Sequence, residues 1–299
     1  MMVNELLVKQ VRGDDEIAGM LARYADKPAF FFQKSPMDTD DLWEKGSFPR
    51  ADFNIDMRYD PERKVSGVLS VTVFCTSESR SMPEDIEQRL TQLISGTFYT
   101  SVDGTTTCAI WHRSDLFFNT RQEGSAGDTS PEVFGVVVLF DLLQFPEQLT
   151  TDPDPIQGLN YWIRNHFPDM VVIAHDPMEP IWKPSDQHPA IYWRFEGSTL
   201  DRSSYAVNWY NGQFAAHIIS PSVQERNRWL KSIAERIQID GEVVLVDKSP
   251  MFARQLTIRH GADPLREGQL LLSGQYGVLA QQRRETAEMP LNHAHFDRR

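Results

Sequence analysis

Few residues in this chain stand at spacings that would let them do chemistry together. Cys75 and His112 could form a thiol and base pair, but each falls in a segment that alternates like a strand, where buried packing is the commoner role. Asp38, Asp40, Asp41 and Glu44 gather carboxylates in one loop. The loop lacks the glycine and the ligand spacing of a calcium loop, so it reads as solvated. His293 and His295 alternate near the C-terminus with no acidic or thiol partner close in sequence, which fits a surface tail. His175 with Asp176, and His260 with Asp263, stand at strand ends where turn residues are expected. No Gly-x-Ser-x-Gly, no phosphate-binding Gly-rich loop before Lys and Ser or Thr, and no dinucleotide fingerprint occurs. The sequence therefore points to no catalytic residue, no cofactor and no metal.

Aromatic residues are the more suggestive set. Trp43 and Trp182 occupy matching polar loops of the two halves, and Phe117-Phe118 and Met251-Phe252 occupy matching strand ends. One reading has each covering its own core. The other makes them interface anchors, because aromatics and Met are enriched at interface centres.

The elements that must position these residues are written twice. Residues 70–75 alternate as a strand, Ser81 and Glu84 flank Pro83 in a capping-box pattern, and Ile86, Leu90, Leu93 and Ile94 mark one helical face. Later, residues 213–219 read as a strand, Ser222 and Glu225 repeat the box, and Leu230, Ile233 and Ile237 repeat the face. Pro28 and Pro168, Pro36 and Pro177, Met37 and Met178, Trp43 and Trp182, Pro49 and Pro189, and Ser81 and Ser222 lie 139–141 residues apart. Ser114 and Ser249, and Phe117 and Phe252, lie 135 apart, and Gly135 and Gly268 lie 133 apart. A slowly drifting offset is what loop-length changes produce in a tandem duplication.

The first half opens with a helix capped by Asp14 and Asp15 that carries Ile17, Met20, Leu21 and Tyr24. A strand at 29–32, a clean alternation from Ala51 to Tyr59, a turn at 60–63, a strand at 106–112, a Gly- and Ser-rich loop at 120–131 read as mobile, and a strand at 133–143 follow. The second half supplies a helix before Pro168 and strands at 170–174, 191–195, 205–210, 213–219, 243–246, 255–260 and 269–279. Asn211-Gly212 is the strongest short hairpin signal. The fold expected is α+β, with two tandem similar domains, each an antiparallel sheet packed by helices. The domains span 1–146 and 156–280, joined by a stiff Pro- and Asp-rich linker at 147–155 and followed by a polar tail at 281–299.

Length and charge bound the function. A chain of 299 residues suits two domains, and a formal net charge of −12 argues against specific nucleic-acid binding. Cys75 and Cys108 are the only cysteines, which suits a reduced compartment. No basic segment precedes an apolar run at the start, and no apolar stretch reaches the roughly 20 residues that cross a bilayer. A cytoplasmic protein with no membrane partner is expected.

The order helix, strand, loop, hairpin, helix, strands resembles the tail terminator and head–tail joining proteins of tailed bacteriophages. Residues 49–55, 83–86 and 134–146 are the stretches that carry this, and they also resemble structural proteins of prophages. The resemblance covers each half separately, 14–145 and 155–279, and departs from the family in the duplication. It implies a non-enzymatic virion structural protein in the bacterial host cytoplasm and the virion. Such a protein assembles with itself into a ring and stacks on tail tube or neck proteins. Six domains closing a ring would make this chain a trimer with pseudo-sixfold symmetry. The competing expectation is a bacterial enzyme or small-ligand-binding protein with a site between the two halves.

Overall fold

The computed structural model describes residues 2–57, 66–119, 132–148 and 150–280. The expected turn at 60–63, the loop at 120–131 and the tail at 281–299, with His293 and His295, lie outside them. The described chain divides into two compact units: 1–147 with 173–188, and 148–172 with 189–299.

The first unit opens with α1 (Val3–Arg12), an element not anticipated from the sequence. Its Leu6, Leu7 and Val11 are buried. Asp14 then caps the short α2 (Asp15–Met20), accepting from the Ile17 N–H at 3.0 Å. The two-residue strands β1 (Arg23–Tyr24) and β2 (Lys27–Pro28) pair with each other. There follow β3 (Phe30–Phe32), β4 (Arg50–Met57), β5 (Gly67–Thr76), α3 (Pro83–Ile94), β6 (Thr97–Thr100), β7 (Thr106–Asn119) and β8 (Val133–Phe145). Helix α3 starts on Pro83 with Met82 at its N-cap and no side-chain cap, so the Ser81 box is not formed. The Ser81 carbonyl instead lies 3.7 Å from the Cys75 thiol.

The second unit runs α4 (Pro155–His166), β9 (Val171–Val172), β11 (Ala190–Ser203), β12 (Val207–Ile219), α5 (Val223–Asp240), β13 (Glu242–Val244), β14 (Pro250–Ile258) and β15 (Leu270–Leu279). Here Ser222 does cap, accepting from the Glu225 N–H at 3.3 Å. The linker expected at 147–155 ends inside a helix and not in extended chain. Asp154 is the N-cap of α4 and Pro155 its first residue, where a missing N–H costs nothing.

Between β9 and β11 the chain forms β10 (Ile181–Trp182), which belongs to the first unit and extends its sheet. The first sheet has the order β10-β6-β7-β8-β5-β4-β3, and the second β13-β14-β15-β12-β11-β9. With β10 set aside the two strand orders are the same: a short edge strand parallel to the next, a hairpin, a helix, and a three-strand meander whose last strand inserts beside the hairpin; α4 alone precedes this in the second unit, and α1, α2 and the β1·β2 pair in the first. Except for the parallel pairs β3·β4 and β9·β11, every ladder is antiparallel. The protein is thus α+β with two similar domains.

The likeness reaches single hydrogen bonds. After β6, the Ser101 N–H donates to the Thr105 carbonyl at 2.9 Å, the Gly104 N–H to the Ser101 carbonyl at 3.0 Å, and the Thr105 N–H to the Asp103 carboxylate at 3.1 Å. After β13, 144 residues on, Leu245 donates to Ser249, Lys248 to Leu245 and Ser249 to Asp247, each at 2.9 Å. Gly104 and Lys248 share the positive φ that this turn requires, 84° and 70°.

One helical layer covers one face of each sheet. Leu90 and Ile94 meet Val71, Val73, Val136 and Val138 in the first core, and Leu230, Ile233 and Ile237 meet Phe214, Ala216, Leu270 and Leu272 in the second. The Asn211-Gly212 hairpin does not form. Strand β12 runs straight through it, with Gly212 paired to Ser198 on one side and Gly274 on the other. A Cβ on Gly212 would lie 2.7 Å from the Phe214 ring and 3.0 Å from that of Tyr276, so the glycine makes room for rings rather than a turn.

Candidate interaction surface

The strand register decides the fate of the thiol and base pair. Cys75 faces Phe134 and Trp111 faces Phe140, six positions further along β8. At roughly 3.4 Å per residue, His112 stands about 20 Å from Cys75. Burial and the nearby Glu84 push the Cys75 thiol up to about 12. Burial also raises that of Cys108, so both are packing groups and not thiolates.

The acidic loop is tied into its own unit. Asp38 pairs with Arg50. Asp40 accepts from the Tyr24 hydroxyl at 3.0 Å and from the Leu42 N–H at 3.0 Å. His260 Nδ1 lies 3.2 Å from the Asn227 amide oxygen, while Asp263 accepts from the Leu265 and Arg266 N–H groups, shaping a turn. Among the described residues no group of three or more His, Cys, Asp and Glu could hold a metal ion.

Two polar contacts escaped the sequence. His112 Nδ1 lies 3.3 Å from Asp141 across β7 and β8, where a bulge between Trp111 and Arg113 shifts the register. The Asp240 carboxylate, at the end of α5, accepts from Trp162 Nε1 at 2.9 Å and is paired with Arg236 at 3.0 Å and His166 at 3.4 Å. Burial works to raise that carboxyl. The bonds from Trp162 and Arg236 outweigh it and hold it below the usual range. This knot joins the ends of α4 and α5.

A concavity of about 400 Å³ in the second unit gathers Asp152, Asp154 and Asp247, with Asp154 taken up as the cap of α4 and Asp247 in the turn after β13. One of about 670 Å³ in the first unit is lined by Phe32, Ile55, Met57 and Val102. Its one carboxylate, Asp103, is held below its ordinary range by the Thr105 N–H that closes the turn.

The six aromatic and Met residues separate. Trp43 packs against Tyr24 and Phe31, with ring centroids 5.0 and 6.0 Å away, and donates from Nε1 to the Met37 carbonyl at 3.0 Å. Trp182 occupies the corresponding place between β9 and β11, yet it is built into the first unit: it pairs with Phe98 and its ring lies 5.9 Å from that of Phe98. Met251 is buried in the second core, and Phe252 lies under the Arg254 guanidinium at 5.6 Å. Phe117 packs on Phe74 at 5.8 Å. Phe117-Phe118 and Met251-Phe252 do not occupy matching places. Phe117 faces Gly135, near the start of β8, whereas Phe252 faces Gln275, in the second half of β15. The 135-residue offset there is coincidental.

Phe118 is different. It is 74% exposed, touching Phe134 at 6.4 Å, and shares β7 with the exposed Leu116 and Trp111. Of the six, Phe118 is the one that does not cover a core. No described helix is long and apolar enough to cross a membrane. Comparison with protein-family models and with curated proteins finds no match.

Proposed function

We propose that this chain is a non-enzymatic structural protein of a tailed bacteriophage, working at the tail end or neck by assembling with copies of itself into a ring. The observation that carries the reading is the repetition of one unit with the same strand order, edge strand and hairpin turns. A chain that keeps two copies of one scaffold, and in which Asp14, Asp103, Asp154, Asp240, Asp247 and Asp263 are taken up in turns and helix ends, is suited to repeated contacts. Three chains would supply six units, and tail tube or neck proteins would be the stacking partners, as the family resemblance implies. The net charge of −12 suits a lumen through which DNA passes without sticking. Light scattering on a sizing column tests the reading. The expected mass is three times that of the monomer, and a monomer at high micromolar concentration refutes it.

A further inference from the structure

Strand β7 outruns the strand beside it. Its outer neighbour β6 pairs only with Thr106, Thr107, Cys108 and Ala109. Just before β6, the Ser95 hydroxyl accepts from the Trp111 N–H at 3.1 Å. Beyond that bond, among the described residues, the outer edge of β7 has no partner strand, while β8 pairs with the inner edge as far as Asn119. The matching strand β14 has nine residues against the fourteen of β7. Residues 115–119 are thus an extension that the repeated scaffold does without. Strand β11 also runs past its short outer neighbour β9, but two bulges break it, whereas β7 has no bulge after Arg113. Bulges are one of the devices that blunt an open edge.

The register fixes which groups this edge presents. The Leu142 carbonyl accepts from Ser66, beside β5, at 2.8 Å, so the Leu142 backbone turns toward β5. Alternation turns 140, 138, 136 and 134 the same way. These face Trp111, Ser114, Leu116 and Phe118 of β7, whose own backbone groups therefore turn outward, as the Trp111 N–H on Ser95 does. The side chains of Leu116 and Phe118 lie on the helical side of the sheet beside Val136 and Phe134, yet both are mostly exposed, Leu116 by 56%. Trp111, 44% exposed, shares that side and donates from Nε1 to the Ser114 hydroxyl at 3.0 Å.

We propose that residues 114–118 of β7 pair with the same edge of a second copy, antiparallel about Leu116, so that two first-unit sheets join across a two-fold axis. The Leu116 N–H of each copy donates to the Leu116 carbonyl of the other, and Ser114 exchanges the same two bonds with the partner's Phe118. The two Leu116 side chains meet at the axis, and each Phe118 ring comes to lie beside Ser114 and the indole bonded to it. The exposed apolar groups of one copy thus cover those of the other. Asp115 faces the partner's Phe117 in this register; centring the pair on 115 would set Asp115 against its own copy, an unfavourable like-charge pair. The length fits as well: five residues at roughly 3.4 Å each leave about 17 Å of edge beyond the Ser95 bond, and each copy supplies as much. The contact is isologous and closes with two chains. It goes beyond the ring reading and does not depend on it: as concentration rises, a single chain becomes a dimer and a ring of three becomes a pair of rings.

Native-state hydrogen exchange on the unaltered full chain tests this without a variant. The amides of Ser114, Leu116 and Phe118 should exchange freely in dilute protein and slow about ten-fold or more as concentration is raised, because only the associated form bonds them. Those of Asp115 and Phe117, which turn toward β8, should not change. Leu116→Cys should give a disulfide-linked dimer under mild oxidant, since the two Cα atoms would stand about 5.5 Å apart. Asp115→Cys, also exposed but on the other face and out of reach of its copy, should not. The native Cys75 and Cys108 are fully buried and do not compete. Protection of Leu116 already present in dilute protein, protection that never rises with concentration, or a cross-link at 115 in preference to 116 overturns the contact. Light scattering separates it from the ring: a constant mass of three chains overturns the contact and leaves the ring standing, whereas a dimer with no trimer supports the contact and refutes the ring.

Discussion

Replacing Trp182 by Ala should loosen β10 without unfolding the unit it decorates. The indole is half-buried and its ring lies 5.9 Å from that of Phe98. An aromatic pair of this kind contributes about 1 kcal/mol beyond its area, and the apolar surface the indole removes from water contributes at least about as much again. The remaining anchors are Ile181, packed against the first core, and the Lys183 ammonium, which donates to the Gln92 carbonyl at 2.8 Å. Losing about 2 kcal/mol of docking raises the open fraction of the strap about 30-fold. The Thr100 amide reports this directly, because its N–H donates to the Pro180 carbonyl. In native-state hydrogen exchange, its protection should fall about 30-fold in the variant. The amides of Val71 and Val138, inside the first core, should keep theirs. Unchanged protection at Thr100 would show that β10 does not depend on its tryptophan. An equal fall at Val71 and Val138 would show that the strap is inseparable from the core.

Three further outcomes follow from named contacts. Gly135→Ala should destabilise the first unit by about 3 kcal/mol or more, since the new Cβ would lie 1.8 Å from the Val73 carbonyl in the β5·β8 ladder. Gly274→Ala, whose Cβ meets the flexible Met251 sulfur at 2.7 Å, should cost the second unit about 1 kcal/mol; urea unfolding that ranks the two the other way refutes the packing account. The hydrogen bond from Arg89 holds the Asp14 carboxyl below its ordinary range, so its contribution is present above the unfolded pKa of about 4 and is lost as pH falls through the folded value. Asp14→Asn should therefore be less stable than the parent at neutral pH, with the gap closing in acid; a constant gap in thermal melts from pH 7 to 2 would sink the assignment. Phe118→Ser should leave the melting temperature within about a degree, because the ring is mostly exposed, while reducing self-association in sedimentation; unchanged sedimentation would remove Phe118 from the contact surface.

The sequence was most legible where periodicity and burial coincide. Leu90 with Ile94, and Leu230 with Ile233 and Ile237, are spaced as core faces of helices, and they are buried as such. The doubled order of elements was legible for the same reason. Signals that depend on a partner far along the chain were not. Asn211-Gly212 looks like a turn in isolation, but the choice was made by Gly274 and the rings of Phe214 and Tyr276 across the sheet. Ser81 offers a cap, yet Met82 sits at the N-cap and the Ser81 carbonyl lies beside the Cys75 thiol. The transfer of Trp182 to the other unit left no local mark, since two residues of strand are too few to show a period. The His112–Asp141 pair depends on a bulge, which composition does not reveal. Matching by residue type alone also misled: the true offset near β6 and β13 is 144, and only Val102 with Val246 and Asp103 with Asp247 are identical across that turn.

The first sheet cannot be finished by the first stretch of chain. Its last long strand ends at Phe145, but the residue that caps its β6 border is Trp182, 37 positions downstream. A ribosome adding about 5–20 residues per second leaves that border bare for roughly 2–7 s in every molecule made. Nascent chains on neighbouring ribosomes of one message would meet during that interval. A fragment ending at residue 147 would keep the border bare for good.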